Sequence, residues 1–367
     1  MRISKKIKYI ILVLFVLTLF DRQAIYASEL SFNVEPMIPE NQVDQTKTYF
    51  DLKTEPNMEE TIKVNVYNNS DQDIVIEPVV KTATTNLNGV VEYGASLTTP
   101  NDSIPYQIES IVIPNEKEMT IPKKGSYEAQ FVIKMPPKEF KGILAGGITL
   151  KEKETAQSAT ETKGMAVENQ YAYVVAVVLH GTEEEVPKEL NLTSVKSDQV
   201  NYRNVINLAL ENPQSRYINQ LSIQAEVTKK GRKKVLYNSK KEHMQMAPDS
   251  NFNYPISLDG KKLKAGNYTV KIRANSEDEN WELTKDFKVS GKEAKRLNSK
   301  DVSIKKDQTK LYYFVGTLLV FIVGFLFFFR YKNHKKKLKR KELEILNLKK
   351  KIEQETNAND DDNLKNK

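Results

Sequence analysis

Thr61-Ile62-Lys63-Val64-Asn65-Val66 alternates apolar and polar side chains, and this pattern decides the fold class. Successive side chains of a β-strand point to opposite faces, so Ile62, Val64 and Val66 share one face. The same alternation recurs from Tyr127 to Met135 and from Leu221 to Val227. Short runs of this kind, separated by turn residues, predict an all-β region built from immunoglobulin-like β-sandwiches.

Glycine marks two special places between or within the predicted strands. Asn88-Gly89, followed by Val90 and Val91, predicts a β-hairpin with a type I′ turn, because both central residues of that turn need positive φ. The glycines of Gly142–Gly147 predict a strand that either contains a β-bulge or is closely approached by another backbone, because glycine has no Cβ. That backbone belongs either to a neighbouring segment of the same fold or to a partner strand.

A change in charge along the chain indicates two domains. Residues 28–185 carry 13 basic and 25 acidic side chains, whereas residues 186–300 carry 22 basic and 13 acidic ones. The polar stretch Gly181–Pro187 marks the boundary, which gives a first domain of residues 28–185 and a second of residues 186–290. Opposite charges indicate either different partners, attraction between the domains, or solubility alone.

Two apolar runs near the chain ends predict export and membrane anchoring. Residues 9–20 follow a positively charged start and precede Ala24-Ile25-Tyr26-Ala27, which predicts a signal peptide of residues 1–27, with an uncleaved anchor as the alternative. Residues 311–329 lack charge over 19 positions and predict one transmembrane helix after a polar stalk of residues 291–310.

The basic residues that follow the second apolar run set the predicted orientation. Residues 330–367 carry 13 basic and 7 acidic side chains, and positive residues beside a span stay in the cytoplasm. We therefore expect an extracellular ectodomain at the cell wall and a basic cytoplasmic tail of residues 330–367. Within the tail, residues 338–352 form either an amphipathic helix on anionic lipid or a solvated, partly disordered segment.

The net charge of +8 does not indicate nucleic-acid binding. Residues 1–27 contribute +4 and residues 330–367 contribute +6, which leaves −2 for residues 28–329. The excess of basic side chains therefore belongs to the membrane topology and forms no basic footprint for nucleic acid on the ectodomain.

No residue pattern predicts catalysis, a metal site or a cofactor. The three histidines, His180, His243 and His334, lack metal-ligand spacing, and the sequence contains no cysteine. Acidic pairs in the first domain leave a peptidoglycan hydrolase as an alternative, although no pair is singled out. The residues therefore favour a protein that is not an enzyme.

Eight short motifs, here called the landmark motifs, follow one another along the chain. They are Phe32-Asn33-Val34-Glu35-Pro36, Pro39–Gln42, Tyr49-Phe50-Asp51-Leu52, Thr85–Gly89 with Tyr93, Phe140–Ile148, Met246–Phe252, Ala265–Tyr268 and Trp281. With the order of signal peptide, two β domains, one helix and a basic tail, they make the chain resemble the WxL-interacting protein family of Gram-positive bacteria.

This resemblance implies a cell-surface adaptor or adhesin without catalytic residues or cofactors. It implies that the first domain binds peptidoglycan and WxL-domain surface proteins, and that the second binds host extracellular proteins. The alternatives from other classes are a single-pass sensor of the cell wall and a peptidoglycan hydrolase. A sensor would have to signal through the 38 residues of the tail.

Six residues are candidates for partner binding within this interpretation. Tyr93 and Tyr106 are candidate glycan contacts, because an acidic domain does not attract anionic wall polymers by charge. The alternative is that both rings pack inside the fold. The basic hairpin tip of Lys230, Arg232, Lys233 and Lys234 is the candidate contact for an acidic partner, with a plain solvated hairpin as its alternative.

Overall fold

The computed structural model describes residues 30–94, 104, 106–153, 172–305 and 309–365. The chain divides into two units, one ending at Ser303 and the other beginning at Ile304. The predicted signal peptide lies outside the described residues.

The first domain is a β-sandwich of two sheets. Its elements are β1 (Phe32–Met37), β2 (Phe50–Lys53), β3 (Glu59–Asn68), β4 (Ile74–Thr82), β5 (Thr84–Thr85), β6 (Val91–Glu92), α1 (Ile108–Ile111), β7 (Val112–Pro114), β8 (Met119–Ile121), β9 (Ser126–Lys134), β10 (Ile143–Glu152) and β11 (Ala172–His180). One sheet has the order β1-β3-β9-β7 and the other β2-β11-β10-β4-β8. β2 and β11 pair in parallel, and the other described strand pairs are antiparallel.

The alternation in the sequence builds the core of this sandwich. Ile62, Val64 and Val66 on β3 are at most 1 % exposed, while the side chains between them are partly exposed. Phe131 and Ile133 on β9 are buried in the same cluster. Each such side chain contributes about 1.5–3 kcal/mol through burial, so the apolar faces of the two sheets close over one core.

The second domain is a sandwich of seven strands and one helix. Its elements are β12 (Asn191–Val200), β13 (Arg203–Asn212), β14 (Ile218–Lys229), β15 (Val235–Met246), β16 (Ser250–Ser257), β17 (Gly266–Ser276), β18 (Glu279–Val289) and α2 (Gly291–Lys300). The sheets have the orders β12-β13-β16 and β15-β14-β17-β18. Its core is a separate buried cluster that includes Tyr254 and Tyr268. The prediction of two immunoglobulin-like sandwiches is confirmed.

The sequence predicts a polar stalk over residues 291–310. In the structure, residues 291–303 instead fold onto the second domain. Ser290 caps α2, with its Oγ accepting from the Glu293 N–H at 3.2 Å, and Glu293 also accepts from the Ser197 hydroxyl at 2.6 Å. Ala294 and Leu297 are buried in the second core. These two apolar contacts and the cap make α2 part of the sandwich.

The predicted hairpin at Asn88-Gly89 is present, but its turn is longer than a type I′ turn. Gly89 has φ +73°, whereas Asn88 does not have positive φ. The loop spans residues 86–90, with the Asn86 N–H donating to the Val90 carbonyl at 3.0 Å. The Asn86 side chain also accepts from the Asn88 N–H at 2.9 Å, so an asparagine side chain stabilises the turn.

The glycines of β10 allow close backbone approach, as predicted. A Cβ on Gly146 would lie 2.5 Å from the Lys81 carbonyl oxygen, and a Cβ on Gly147 would lie 2.5 Å from the Tyr93 carbonyl oxygen. Both segments that come close belong to the first domain itself. The close approach therefore arises within the fold.

The second unit contains α3, which runs from Thr309 to Lys365. Its segment beginning at Leu311 is long and apolar enough to cross a membrane by length and composition. The helical backbone continues through the predicted tail, so residues 338–352 are helical.

Candidate functional site at the domain junction

The two sandwiches meet through a buried polar contact. The hydroxyl oxygens of Thr85 on β5 and Ser250 on β16 lie 2.8 Å apart, and the Ala247 N–H donates to Thr85 Oγ1 at 3.0 Å. Thr85 is 0 % exposed and Ser250 is 2 % exposed. A buried hydroxyl is costly without partners, so these hydrogen bonds compensate for the burial of Thr85 and Ser250 in the junction.

Small apolar residues fill the space around this contact. Ala83, Val91, Ala145 and Ala247 form a buried cluster of their own, apart from the two main cores. The first three belong to the first domain and Ala247 belongs to the second. Because their side chains are short, the two backbones approach closely at this cluster.

Two backbone hydrogen bonds cross the junction. The Gln245 N–H donates to the Gly89 carbonyl, and the Ile143 N–H donates to the Ser215 carbonyl, both at 2.7 Å. A Cβ on Gly142, which has φ +79°, would lie 2.2 Å from the Ser215 carbonyl oxygen. Glycine is therefore needed here for both conformation and space.

A pair of tyrosines completes the junction. The hydroxyl oxygens of Tyr93 and Tyr217 lie 3.1 Å apart, and both rings are partly buried. Burial raises the pKa of both hydroxyl groups, that of Tyr217 well above its usual value. Both groups are therefore neutral at physiological pH. Tyr93 was predicted as a candidate glycan contact, and the structure places it in this joint.

A buried carboxyl group lies beside the same contacts. Asp249 is 4 % exposed and accepts a hydrogen bond from the Ser215 hydroxyl at 2.7 Å. Burial raises the pKa of Asp249 to about 6, and the Ser215 hydrogen bond acts in the opposite direction. The protonation state of Asp249 therefore changes close to neutral pH.

A groove with a volume of about 610 Å³ opens beside the junction. Tyr106, Phe140, Val186, Pro187 and Pro213 supply its apolar surface. Charged side chains of both signs and two polar residues complete the lining: Lys138, Glu139, Lys141, Glu184, Glu185, Gln214 and Ser215. Apolar surfaces with a few polar groups are typical of ligand sites.

Two solvent-exposed ion pairs and one hydrogen bond contact the linker that forms one side of this groove. Lys141 pairs with Glu184, and Arg216 Nη1 lies 3.1 Å from Glu185 Oε1. Arg216 also donates to the Val186 carbonyl at 2.7 Å. The linker between the domains therefore contacts both of them, and Tyr106 lines a groove that residues of both domains form.

The basic hairpin tip lies away from the junction, at the end of β14. Arg232, Lys233 and Lys234 are exposed, and Lys230 Nζ lies 2.6 Å from Asp286 Oδ2. This ion pair lowers the pKa of Asp286, as does a hydrogen bond from Thr269. The six candidate residues thus occupy three places: the joint, the groove and the tip.

The described residues contain one close histidine–carboxylate pair, His180 Nε2 and Asp51 Oδ1, which are 2.5 Å apart. No group of three or more His, Cys, Asp or Glu side chains in the described ranges could hold a metal ion.

The polar segment Asn69–Asp73 forms the turn between β3 and β4. Asn68 Oδ1 accepts a hydrogen bond from the Ser70 N–H at 2.8 Å and stabilises this turn.

Sequence reasoning did not single out Tyr217, Asp249 or the Thr85–Ser250 pair as junction residues. Two of the landmark motifs nevertheless contain most of them, since Thr85–Gly89 lies against Met246–Phe252 across the junction. These motifs are the signal that could have located the contact.

Fold and junction define a protein with two immunoglobulin-like sandwiches joined into one unit. The model of the WxL Interacting Protein peptidoglycan binding domain matches residues 32–152, and that of the host binding domain matches residues 162–299. The chain therefore belongs to the WxL-interacting protein family, and the resemblance in the landmark motifs is confirmed. Both matched domains are binding domains, which supports a binding role at the cell surface.

The family match and the structure place the domain boundary differently. The second match begins at residue 162, before β11. In the structure, β11 pairs with β10 and β2 inside the first sandwich. The structural boundary therefore follows His180.

A search of curated proteins found no match. Among solved structures, a chain from the CFA/I fimbrial chaperone–tip adhesin complex has 13 % identity and a TM-score of 0.29, covering 71 % of this chain and 98 % of its own. The Escherichia coli chaperone DraB has 15 % identity and a TM-score of 0.27, with coverage of 71 % and 98 %. The CsuC–CsuE complex of Acinetobacter baumannii has 13 % identity and a TM-score of 0.30, with coverage of 61 % and 90 %.

Proposed function

We propose that this chain is a non-catalytic, membrane-anchored adaptor of the cell surface. Residues 28–185 bind peptidoglycan and WxL-domain proteins, and residues 186–290 present a surface to protein ligands, including host proteins. The observation that carries the proposal is the order of the peptidoglycan-binding and host-binding domains ahead of a helix long enough to cross a membrane.

The physical mechanism is avidity. The membrane helix and the wall contact hold the same molecule, so each raises the effective concentration of the other. The hydrogen bonds across the junction support this mechanism, because they keep the first domain from moving freely on the second.

The groove beside the junction is the proposed site for a glycan that carries peptide. Tyr106 packs partly against the first core and also lines the groove, where its ring is the proposed sugar contact. Gln214 and Ser215 offer hydrogen-bonding groups there. Rim charges of both signs suit a ligand that carries amino and carboxylate groups together. Tyr93, in contrast, is assigned to holding the junction.

Replacement of Tyr106 tests this assignment. Tyr106→Ala should weaken binding to purified sacculi about tenfold, since an aromatic contact at the centre of a site is typically worth 1.4 kcal/mol or more. Tyr67→Ala is the control, because Tyr67 is 37 % exposed and lies on β3 away from the groove. Equal binding by both variants and the wild type would remove the groove as the glycan site.

A further inference from the structure

The end of the second domain opposite the junction carries a dense positive charge. Three segments that meet there, residues 229–234, 259–264 and 291–300, hold twelve basic and two acidic side chains. All twelve basic side chains are exposed: Lys229, Lys230, Arg232, Lys233, Lys234, Lys261, Lys262, Lys264, Lys292, Lys295, Arg296 and Lys300. Among the described residues, only Lys230 of these twelve forms an ion pair.

The strand directions place these segments at one end. β14 begins next to Tyr217, and β16 begins at Ser250, so both start at the junction and run away from it. The Lys230 N–H donates to the Asn267 carbonyl at 3.0 Å, which ties the hairpin tip to the start of β17. Asn298 exchanges two hydrogen bonds with the backbone of Leu263, at 2.8 and 2.9 Å, which ties α2 to the 259–264 loop.

The chain leaves the second domain at this same end. The Val302 N–H donates to the Tyr202 carbonyl at 3.0 Å, and a Cβ on Gly260 would lie 2.9 Å from the Ser303 carbonyl oxygen. Only residues 304–308 separate Ser303 from the first residue of α3. The proposed span therefore follows this basic end within a few residues of sequence.

Two large apolar side chains are exposed beside the charges. Tyr202 and Val302 are each 69 % exposed. A tyrosine and an apolar side chain on the same end of a domain as many lysines are a composition that favours the headgroup region of a bilayer. A protein partner would not require these charges to precede a membrane span in the sequence.

We propose that this basic end docks on the anionic phospholipid headgroups of the membrane that anchors the chain. The proposal rests on the proposed membrane span of residues 311–329. It assigns the tip of Lys230, Arg232, Lys233 and Lys234 a lipid partner instead of an acidic protein. Docking would also hold the acidic first domain away from the membrane and toward the wall.

The test uses the full chain in nanodiscs, labelled at one cysteine. Because the sequence has no cysteine, Ser299→Cys places a fluorophore on the exposed face of α2, and Gln72→Cys places one on the first domain as a reference. Nanodiscs of phosphatidylcholine are compared with nanodiscs that contain about 30 mol % phosphatidylglycerol, each with nitroxide-headgroup lipid as quencher.

The expected result is strong quenching at residue 299 in the anionic nanodiscs, weak quenching there in phosphatidylcholine, and weak quenching at residue 72 in both. Replacing Lys233, Lys234, Lys261 and Lys262 by Ser should remove at least about half of the quenching, because each cation near an anionic surface strengthens binding about fivefold. The matched control replaces Lys117, Lys123, Lys196 and Lys271, which are exposed elsewhere on the two domains, and should change nothing.

Three results would overturn the proposal. They are equal quenching in both lipids, an equal loss in the control variant, and a chain that does not incorporate into nanodiscs, which would also remove the proposed span. If quenching is equal in both lipids and the chain captures a polyglutamate peptide in a charge-dependent way, the partner of the basic hairpin tip is an acidic protein and not lipid. Sacculus binding by the same variants is measured in parallel and should be unchanged, so failure of docking is distinguished from failure of the wall-binding proposal.

Discussion

The hydroxyl oxygens of Tyr93 and Tyr217 lie 3.1 Å apart, one on each sandwich, and join the two domains across their boundary. The Thr85–Ser250 contact and two backbone hydrogen bonds support the same joint. This arrangement makes the shape of the groove at Tyr106 dependent on both domains. Under the proposed function, a ligand in this groove would therefore contact residues of both domains.

The buried hydroxyl of Thr85 should contribute measurably to stability. Thr85→Val keeps the shape but leaves the Ala247 N–H without its acceptor, which should cost about 1–3 kcal/mol in urea unfolding. Thr120→Val removes an exposed hydroxyl from β8 and should stay within about 0.5 kcal/mol of the wild type. Equal effects of the two substitutions would contradict the role of the Thr85–Ser250 contact.

Gly142 should be irreplaceable at the junction. Gly142→Ala puts a Cβ 2.2 Å from the Ser215 carbonyl oxygen, so the joint must open, and limited proteolysis of the 181–190 linker should become faster. Gly231→Ala is the matched control, because Gly231 also has positive φ, at +73°, but no atom within 4 Å of the added Cβ. It should cost only the backbone strain of about 1 kcal/mol and leave proteolysis of the linker unchanged.

Asp249 should make the ectodomain less stable as the pH rises. Its pKa is about 6 in the folded chain against 3.8 as the usual value, so the folded state holds a proton that the unfolded state has lost between these values. The stabilising contribution of the protonated form is complete below pH 3.8 and is lost as the pH passes through about 6.

Asp249→Asn isolates this contribution, since Asn remains neutral and its oxygen still accepts from Ser215. The difference in unfolding free energy between variant and wild type should shift in favour of the variant by about 2 kcal/mol from pH 4 to pH 7.5. A difference that does not change with pH would show that Asp249 is not the titrating group.

Leu297 should behave as a core residue of the second domain. Leu297→Ala should lower the unfolding free energy by about 2–5 kcal/mol, because Leu297 is 1 % exposed and the truncation leaves a cavity. Lys295→Ala, on the exposed face of the same helix, should have little effect. An unchanged unfolding free energy of the Leu297→Ala variant would indicate that residues 291–300 belong to the predicted stalk and not to the second domain.

The architecture was accessible from local sequence patterns. Alternation with period two marks β3, β9 and β14, and buried faces follow from it directly, as at Ile62, Val64 and Val66. The helix α2 was missed because only Ala294 and Leu297 interrupt a charged run. Its signal was nevertheless present, since Ser290 and Glu293 have the spacing of a capping box.

The junction was not accessible in the same way. Thr85 and Ser250 are 165 positions apart, and nothing in the local pattern of either stretch specifies the other. The same holds for the basic end of the second domain, where three separate segments meet through tertiary packing. The composition of the second domain predicted its positive net charge. The position of the basic end within that domain became visible only from the strand directions in the structure.

The proposed function requires that the chain binds peptidoglycan without cleaving it. The most direct measurement incubates the full chain with purified sacculi and with a WxL-domain protein, and records co-sedimentation, complex formation and released sugar. We predict binding to both partners and no soluble sugar above the level of a protein-free control. Release of soluble fragments would mean that the chain is a hydrolase, and absence of binding to either partner would contradict the adaptor function.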